Sequence, residues 1–340
     1  MPRFSVTPEP PALLTRSVLF VALMIAAMVS RGDAQPLHPG MAPPERVPAV
    51  MVGDRVVNVA WHLGVVPEAM SVRGDLWAFG RTLANTSSMI LGCPGYIVMK
   101  DPDIVPRILR EKGLERVLVE RSDPFDQTRP HRDPMNLLPI LEETGIAADP
   151  GGRITVIDFT AGLEAAIRQI GAVLGREAQA EDLIAARRAQ LDAVMAGLPL
   201  DRSGLNVLIL DGRVEDETAQ AFVRAHLPGG YADDFLLTPL GVQNAAGPLA
   251  DQGLNGFAAL AGLDGLEALR PDVIVMTGES DAVQRQLAEA LARHPDLASS
   301  VPALANHALV SLPAYYDSAV VDYPRILGRW AAAFTSLIEG

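Results

Sequence analysis

Ten side chains stand out for the chemistry their types could do. Trp61 and His62 follow the apolar run at 56–60, Val-Val-Asn-Val-Ala. Trp77 and Arg81 lie in the next connection, ahead of Cys93-Pro94-Gly95-Tyr96. Arg213 follows the run at 206–210, Tyr231 closes a Gly-Gly-Tyr triplet, and Tyr315-Tyr316 follow the run at 308–312. Aromatic faces bury area with few rotamers to freeze, which suits a flat ligand. Arginine holds carboxylates through paired hydrogen bonds. His62 and Cys93 are the candidate direct metal ligands, with a tyrosinate or carboxylate as partner.

Each has a plainer role to set beside it. The tryptophans suit a core, Arg213 a surface ion pair, His62 a hydrogen-bonded loop and Cys93 a small buried hydrophobe. The six histidines are scattered at 38, 62, 131, 226, 294 and 307, which argues against a multi-histidine zinc or manganese centre. No dinucleotide fingerprint, phosphate-binding loop or nucleophile elbow occurs. The paired carboxylates Asp233-Asp234 and Glu215-Asp216-Glu217 have no partner motif that fixes their geometry.

The elements that must position these residues alternate. Residues 56–60, 116–120 and 154–157 read as buried strands, with a helix over 104–112 that stops at Gly113. Strands over 206–210, 273–276 and 308–312 repeat the pattern. A helix over 324–338 places Ile326, Trp330, Phe334 and Ile338 on one face. Strands alternating with helices specify parallel sheets. Between the halves, Leu163, Ile167, Ile170 and Leu174 keep helical spacing, Gly175-Arg176 interrupts, and 178–198 is helical again. A helix of some 20 residues reaches about 30 Å. It reads as a stiff strut that lets two lobes tilt only slightly.

The front of the chain reads as a secretory signal over 1–34: Arg3 and Arg16, an apolar run over 18–29, then Gly32 and Ala34 before a cleavage site. With no Cys behind that run, lipid attachment is not expected. Residues 35–50 are proline-rich and read as an extended tether. The remaining divisions are a first lobe over 51–158, a helical linker over 159–200 with its long helix at about 177–198, and a second lobe over 201–340.

Length and composition agree. The 340 residues are 49% hydrophobic and 20% charged, enough for a sizeable core and too apolar for a disordered chain. Formal net charge is −13, or −14 without the leader, which disfavours nucleic acid and anionic membrane as partners. One cysteine allows no internal disulfide, so stability must come from the core.

With these elements in order, the sequence resembles the periplasmic substrate-binding proteins of ABC importers whose lobes are joined by one long helix. These are receptors for ferric siderophores, haem and cobalamin, with a related branch for bare metal ions. The resemblance spans roughly 52–338. It is carried by Pro-Ile-Leu-Glu-Glu-Thr-Gly-Ile at 139–146, by Ile-Arg-Gln-Ile-Gly-Ala-Val-Leu-Gly-Arg-Glu-Ala-Gln-Ala-Glu-Asp-Leu at 167–183, and by Leu-Arg-Pro-Asp-Val-Ile-Val at 269–275. Ser-Val-Pro-Ala-Leu at 300–304 and Val-Ser-Leu-Pro at 310–313 complete it.

The resemblance implies two Rossmann-like α/β lobes joined by one long rigid helix, with a ligand cleft between them lined by the ten side chains above. It implies a monomeric periplasmic receptor that captures a metal chelate and delivers it to an inner-membrane ABC permease and its ATPase. It implies no catalysis and no resident cofactor, any iron or cobalt arriving within the cargo. Permease arginines would meet acidic residues, for which Glu68 and Asp103 in the first lobe and Asp264 and Glu267 in the second are the candidates. Two other readings stay open: direct transition-metal-ion capture by His62 and Cys93, and an exported chelate-modifying enzyme.

Overall fold

The computed structural model describes residues 44–74, 77, 79–80, 82–83, 89–122, 133–145, 153–198, 204–214, 220–253, 256–313 and 321–339. All of these lie within one compact unit, residues 42–340. Arg81, His131, Glu215-Asp216-Glu217, Tyr315-Tyr316 and the leader fall outside the described residues. Among the described residues no helix is long and apolar enough to cross a membrane.

The first lobe is built on β1 (Glu45–Val52), β2 (Val65–Ser71), β3 (Met89–Ile90), β4 (Arg116–Arg121) and β5 (Ile154–Asp158), in the order β3-β2-β1-β4-β5 and all parallel. Strict alternation divides β1 between two cores. Ala49 and Met51 face α1 (Asp54–His62) and α5 (Leu163–Leu174), while Val50 and Val52 face α2 (Pro94–Met99), α3 (Ile104–Lys112) and α4 (Leu137–Glu143). The αL turn at Gly113 ends α3 as its sequence predicts.

Two expectations are corrected here. Residues 56–60 are not a strand but the middle of α1. A run rich in valine satisfies either geometry when it is buried all round, and Val56, Val57, Val59 and Ala60 are all buried. Residues 45–50, within the stretch read as tether, belong to β1. Pro48 lies between Val47 and Val50, where the register with β2 shifts, a place that tolerates a missing amide hydrogen.

The second lobe has a mixed sheet. Its strands are β6 (Asn206–Val214), β7 (Ala221–His226), β8 (Gln243–Asn244), β9 (Phe257–Ala259), β10 (Val273–Gly278) and β11 (Leu309–Ser311). Their order is β11-β10-β6-β7-β9, with β8 paired beside the start of β6. The β6–β7 and β7–β9 pairs are antiparallel, a hairpin arm on an otherwise parallel sheet. The structure carries β6 to Val214, through the first part of the 211–216 stretch whose sequence reads as a loop, and adds β7, for which the sequence pattern marks no element. One face packs on α7 (Ser280–Arg293), the other on α8 (Tyr323–Glu339), where Ile326, Trp330 and Phe334 are buried as expected.

Between β5 and β6 stand α5 and α6 (Glu177–Ala196), the latter 20 residues or about 30 Å long. Ala180 and Ile184 of α6 are buried in the first lobe's core, and Leu191 and Val194 pack on the second lobe's core. One helix thus serves both. The α5–α6 corner is tight: a Cβ on Gly171 would stand 2.7 Å from the Ala180 Cβ. Arg168 donates to Glu181 at 2.6 and 3.1 Å, and Arg188 to Glu164 at 2.5 Å, across the same corner.

Candidate ligand site

In parallel α/β sheets ligands collect at the carboxyl ends of the strands. In the first lobe that edge is Gly53 after β1, Ser71 to Arg73 after β2, Leu91 to Cys93 after β3, and Glu120-Arg121 at the end of β4. It holds a buried ionic network. Asp54 opens α1 and accepts from the Arg73 amide at 2.7 Å and from the Arg73 guanidinium. Glu120 accepts from the Arg55 amide at 2.8 Å, and the Arg55 guanidinium lies 4.0 Å from the same carboxylate and over the Phe159 ring. Ser71 donates to the Gly92 carbonyl at 2.9 Å. Gly53 has φ +119°, and any Cβ there would collide with Glu120. Charges this deep persist only when paired and hydrogen-bonded, so the network sets the edge in one shape.

In the second lobe the matching edge is the end of β6, the end of β10 and the start of β7. Asp211 is fully buried and takes Arg224 at 2.6 Å, with Arg213 at 3.8 Å. Arg224 stacks over Phe257 at 3.6 Å. His226, two residues on along the same face, packs on Phe257 with ring centroids 4.6 Å apart. Burial drives its pKa from 6.5 down to about 4, against the pull of Asp211 and with the push of Arg224, so it is neutral near pH 7. The Ser280 and Ser311 hydroxyls meet at 2.6 Å on the same edge. Sequence alone singles out none of Asp54, Arg55, Arg73, Glu120, Asp211, Arg224 or His226 for the site. Asp54 directly after Gly53 and Asp211 closing an apolar run are the signals that could have found them.

The ten predicted residues divide. Cys93 precedes α2 and Tyr96 lies in it, both at the first lobe's carboxyl edge; Cys93 is half-buried and Tyr96 is exposed. Arg213 is exposed at the second lobe's carboxyl edge. Trp77 is instead core: it is buried and meets Phe79 edge-on at 5.6 Å. Tyr231 packs on Phe235 at 5.2 Å against the second core. Trp61 and His62 are not in a loop after a strand. They end α1, which runs back to the amino edge of the sheet, where Trp61 packs on Phe79 at 5.2 Å.

That placement removes the shared metal site of His62 and Cys93. His62 lies just before β2 and Cys93 beyond the end of its neighbour β3, so the seven residues of β2 separate them, roughly 20 Å at 3.3 Å per residue. Among the described residues no group of three or more His, Cys, Asp or Glu side chains is placed to hold a metal ion. The acidic candidates for docking are surface groups. Glu68 pairs with Arg46 at 3.3 Å and Lys112 at 3.9 Å, and Asp103 with Arg110 at 3.3 Å. Asp264 lies 3.8 Å from Arg293, and Glu267 is exposed in a helical turn.

Two α/β lobes, each presenting its strand ends and sharing one long helix, define a two-lobed binding protein. A family model described as periplasmic binding protein matches residues 146–316, half of the chain. The chain belongs to the periplasmic binding protein family. Solved structures agree in fold. The periplasmic heme-binding protein RhuT from Roseiflexus sp. RS-1, in apo form, is 17% identical with a TM-score of 0.55, over 86% of this chain and 99% of that one. The periplasmic heme-binding protein HutB of Vibrio cholerae is 18% identical with a TM-score of 0.52, over 87% and 99%. S. aureus IsdE complexed with heme is 15% identical with a TM-score of 0.51, over 84% and 98%. A comparison with curated protein sequences gives no match.

Proposed function

We propose that this chain is an exported, monomeric receptor that captures a metal chelate, a ferric siderophore, haem or a corrinoid, and hands it to an inner-membrane ABC permease with its ATPase. The observation that carries the reading is the pair of strand-end edges: two lobes of one family, each ending its strands in a fixed polar network, on one shared helix. The heme-binding descriptions of several structural neighbours favour haem as the first ligand to try. Cys93, Tyr96 and Arg213 are the described candidates for contact with cargo, joined in sequence by Arg81, Tyr315 and Tyr316. Thiolate and phenolate oxygen are ligands that haem iron accepts, and arginine suits its propionates. The cargo's own covalent bonds stay intact, since affinity needs only burial and a few placed groups.

An absorbance titration of the ligand-free protein tests this, run in parallel with haem, a ferric siderophore and a corrinoid. Saturable one-to-one binding of one of them, weakened by Tyr96→Ala or Arg213→Ala, is expected. Binding of none of them, or steady turnover of a bound chelate, overturns the reading. The stiff α6 further predicts little change in scattering radius on binding; a large hinge closure contradicts that part.

A further inference from the structure

Within three residues the chain passes from one lobe's core to the other's. Val321 is buried in the apolar cluster of the first lobe, with Val56 and Ile167, while Tyr323, Ile326 and Leu327 pack in the second lobe's cluster. Between them stands Asp322, its side chain 10% exposed. Its carboxylate accepts from Asn58 at 3.1 Å and lies 3.6 Å from the His62 Nε2, both on α1 of the first lobe. Arg325, on α8, is 3.6 Å away. Burial works to raise the Asp322 pKa, but hydrogen bonding and charge from His62, then Arg325 and Asn58, outweigh it and hold the carboxyl below its ordinary range.

We infer that Val321-Asp322 is a second tie between the lobes, gripped by Asn58 and His62, so that α6 does not alone set how far they open. This gives His62 a mechanical role in place of metal ligation. The inference rests on the two-lobed fold and not on which cargo is carried. A plainer role for Asp322 is to cap α8, since a carboxylate before a helix favours its dipole. The carboxylate reaches Asn58 across 264 residues of sequence, which a local cap does not require.

The two roles separate by substitution, because Asp322→Ser keeps a capping oxygen but is too short to reach α1. Spin labels at Glu111→Cys and Gln284→Cys, exposed on α3 and α7, would report the lobe separation in a Cys93→Ser background. In the ligand-free protein a single narrow distance population is expected, lost in both Asp322→Ser and Asp322→Ala and retained in Asp322→Asn. Hydrogen exchange of the amides at 321–326 should quicken about tenfold in Asn58→Ala, the factor expected for one lost hydrogen bond to a carboxylate, and to a smaller extent in His62→Ala, which loses the 3.6 Å contact. A narrow population that survives in Asp322→Ser, or exchange unchanged in Asn58→Ala, overturns the inference. Either result leaves the receptor reading intact, and a failed ligand titration leaves the tie intact.

Discussion

The two lobes solve one problem with different chemistry. The first ends its parallel strands in a balanced network, two carboxylates against two guanidiniums, with Asp54, Arg55 and Glu120 buried. The second bends an antiparallel arm across its edge and buries one carboxylate under two arginines, with a neutral histidine beside them. The first edge is therefore fixed by mutual charge pairing and hydrogen bonding. The second depends on a histidine staying uncharged and should be the acid-labile half.

The largest effect expected is from Glu120→Ala. It strands Arg55 in the core and opens the space that Gly53 leaves for the carboxylate, which should cost about 3–5 kcal/mol, the range for breaking a buried pair from one side. Chemical denaturation with probes in each lobe should show the first lobe failing first. Equal loss in both lobes would remove the distinction between the edges.

The next largest is the pH effect of His226. Its folded pKa is depressed from 6.5 to about 4, so its contribution is complete above 6.5 and is lost as pH falls toward about 4. The loss should reach about 3 kcal/mol at the acid end, since each tenfold drop in proton affinity corresponds to about 1.4 kcal/mol. His226→Gln should flatten the stability profile between those values, measured by thermal melts against pH. An unchanged profile would mean that acid lability lies elsewhere.

Gly171→Ala presses a methyl against Ala180 where α5 meets α6 and should cost about 1–3 kcal/mol, as overpacking does. Smallest of all, Arg168→Ala removes an exposed pair to Glu181 and should leave the melting temperature within error. A large effect there would show that the strut owes its placement to surface charge rather than to packing.

Much of this is legible in the sequence because its signals are local. The strands at 116–121, 154–158 and 273–278, the Gly113 and Gly175 turns and the long helix follow from periodicity and capping. What escapes depends on distant partners. α1 is a helix although valine-rich, because cover on all sides erases the pattern that distinguishes it from a strand. β7 alternates Phe222, Arg224 and His226 on one face, so no apolar run marks it as a strand, and only the placement of Asp211 and Phe257 against it explains that face. The site is harder still. Trp61, His62 and Trp77 draw notice as rare side chains, yet their surroundings make them packing and contact residues, while the common acids Asp54, Glu120 and Asp211 shape the edges.

The receptor proposal is tested most directly by native mass spectrometry of the protein purified from its own host. The account predicts a population heavier than the protein alone by the mass of one metal chelate, with the adduct released intact on collisional activation. A chain that carries only bare metal ions, or that stays unloaded after incubation with haem, ferric siderophore and corrinoid alike, contradicts it.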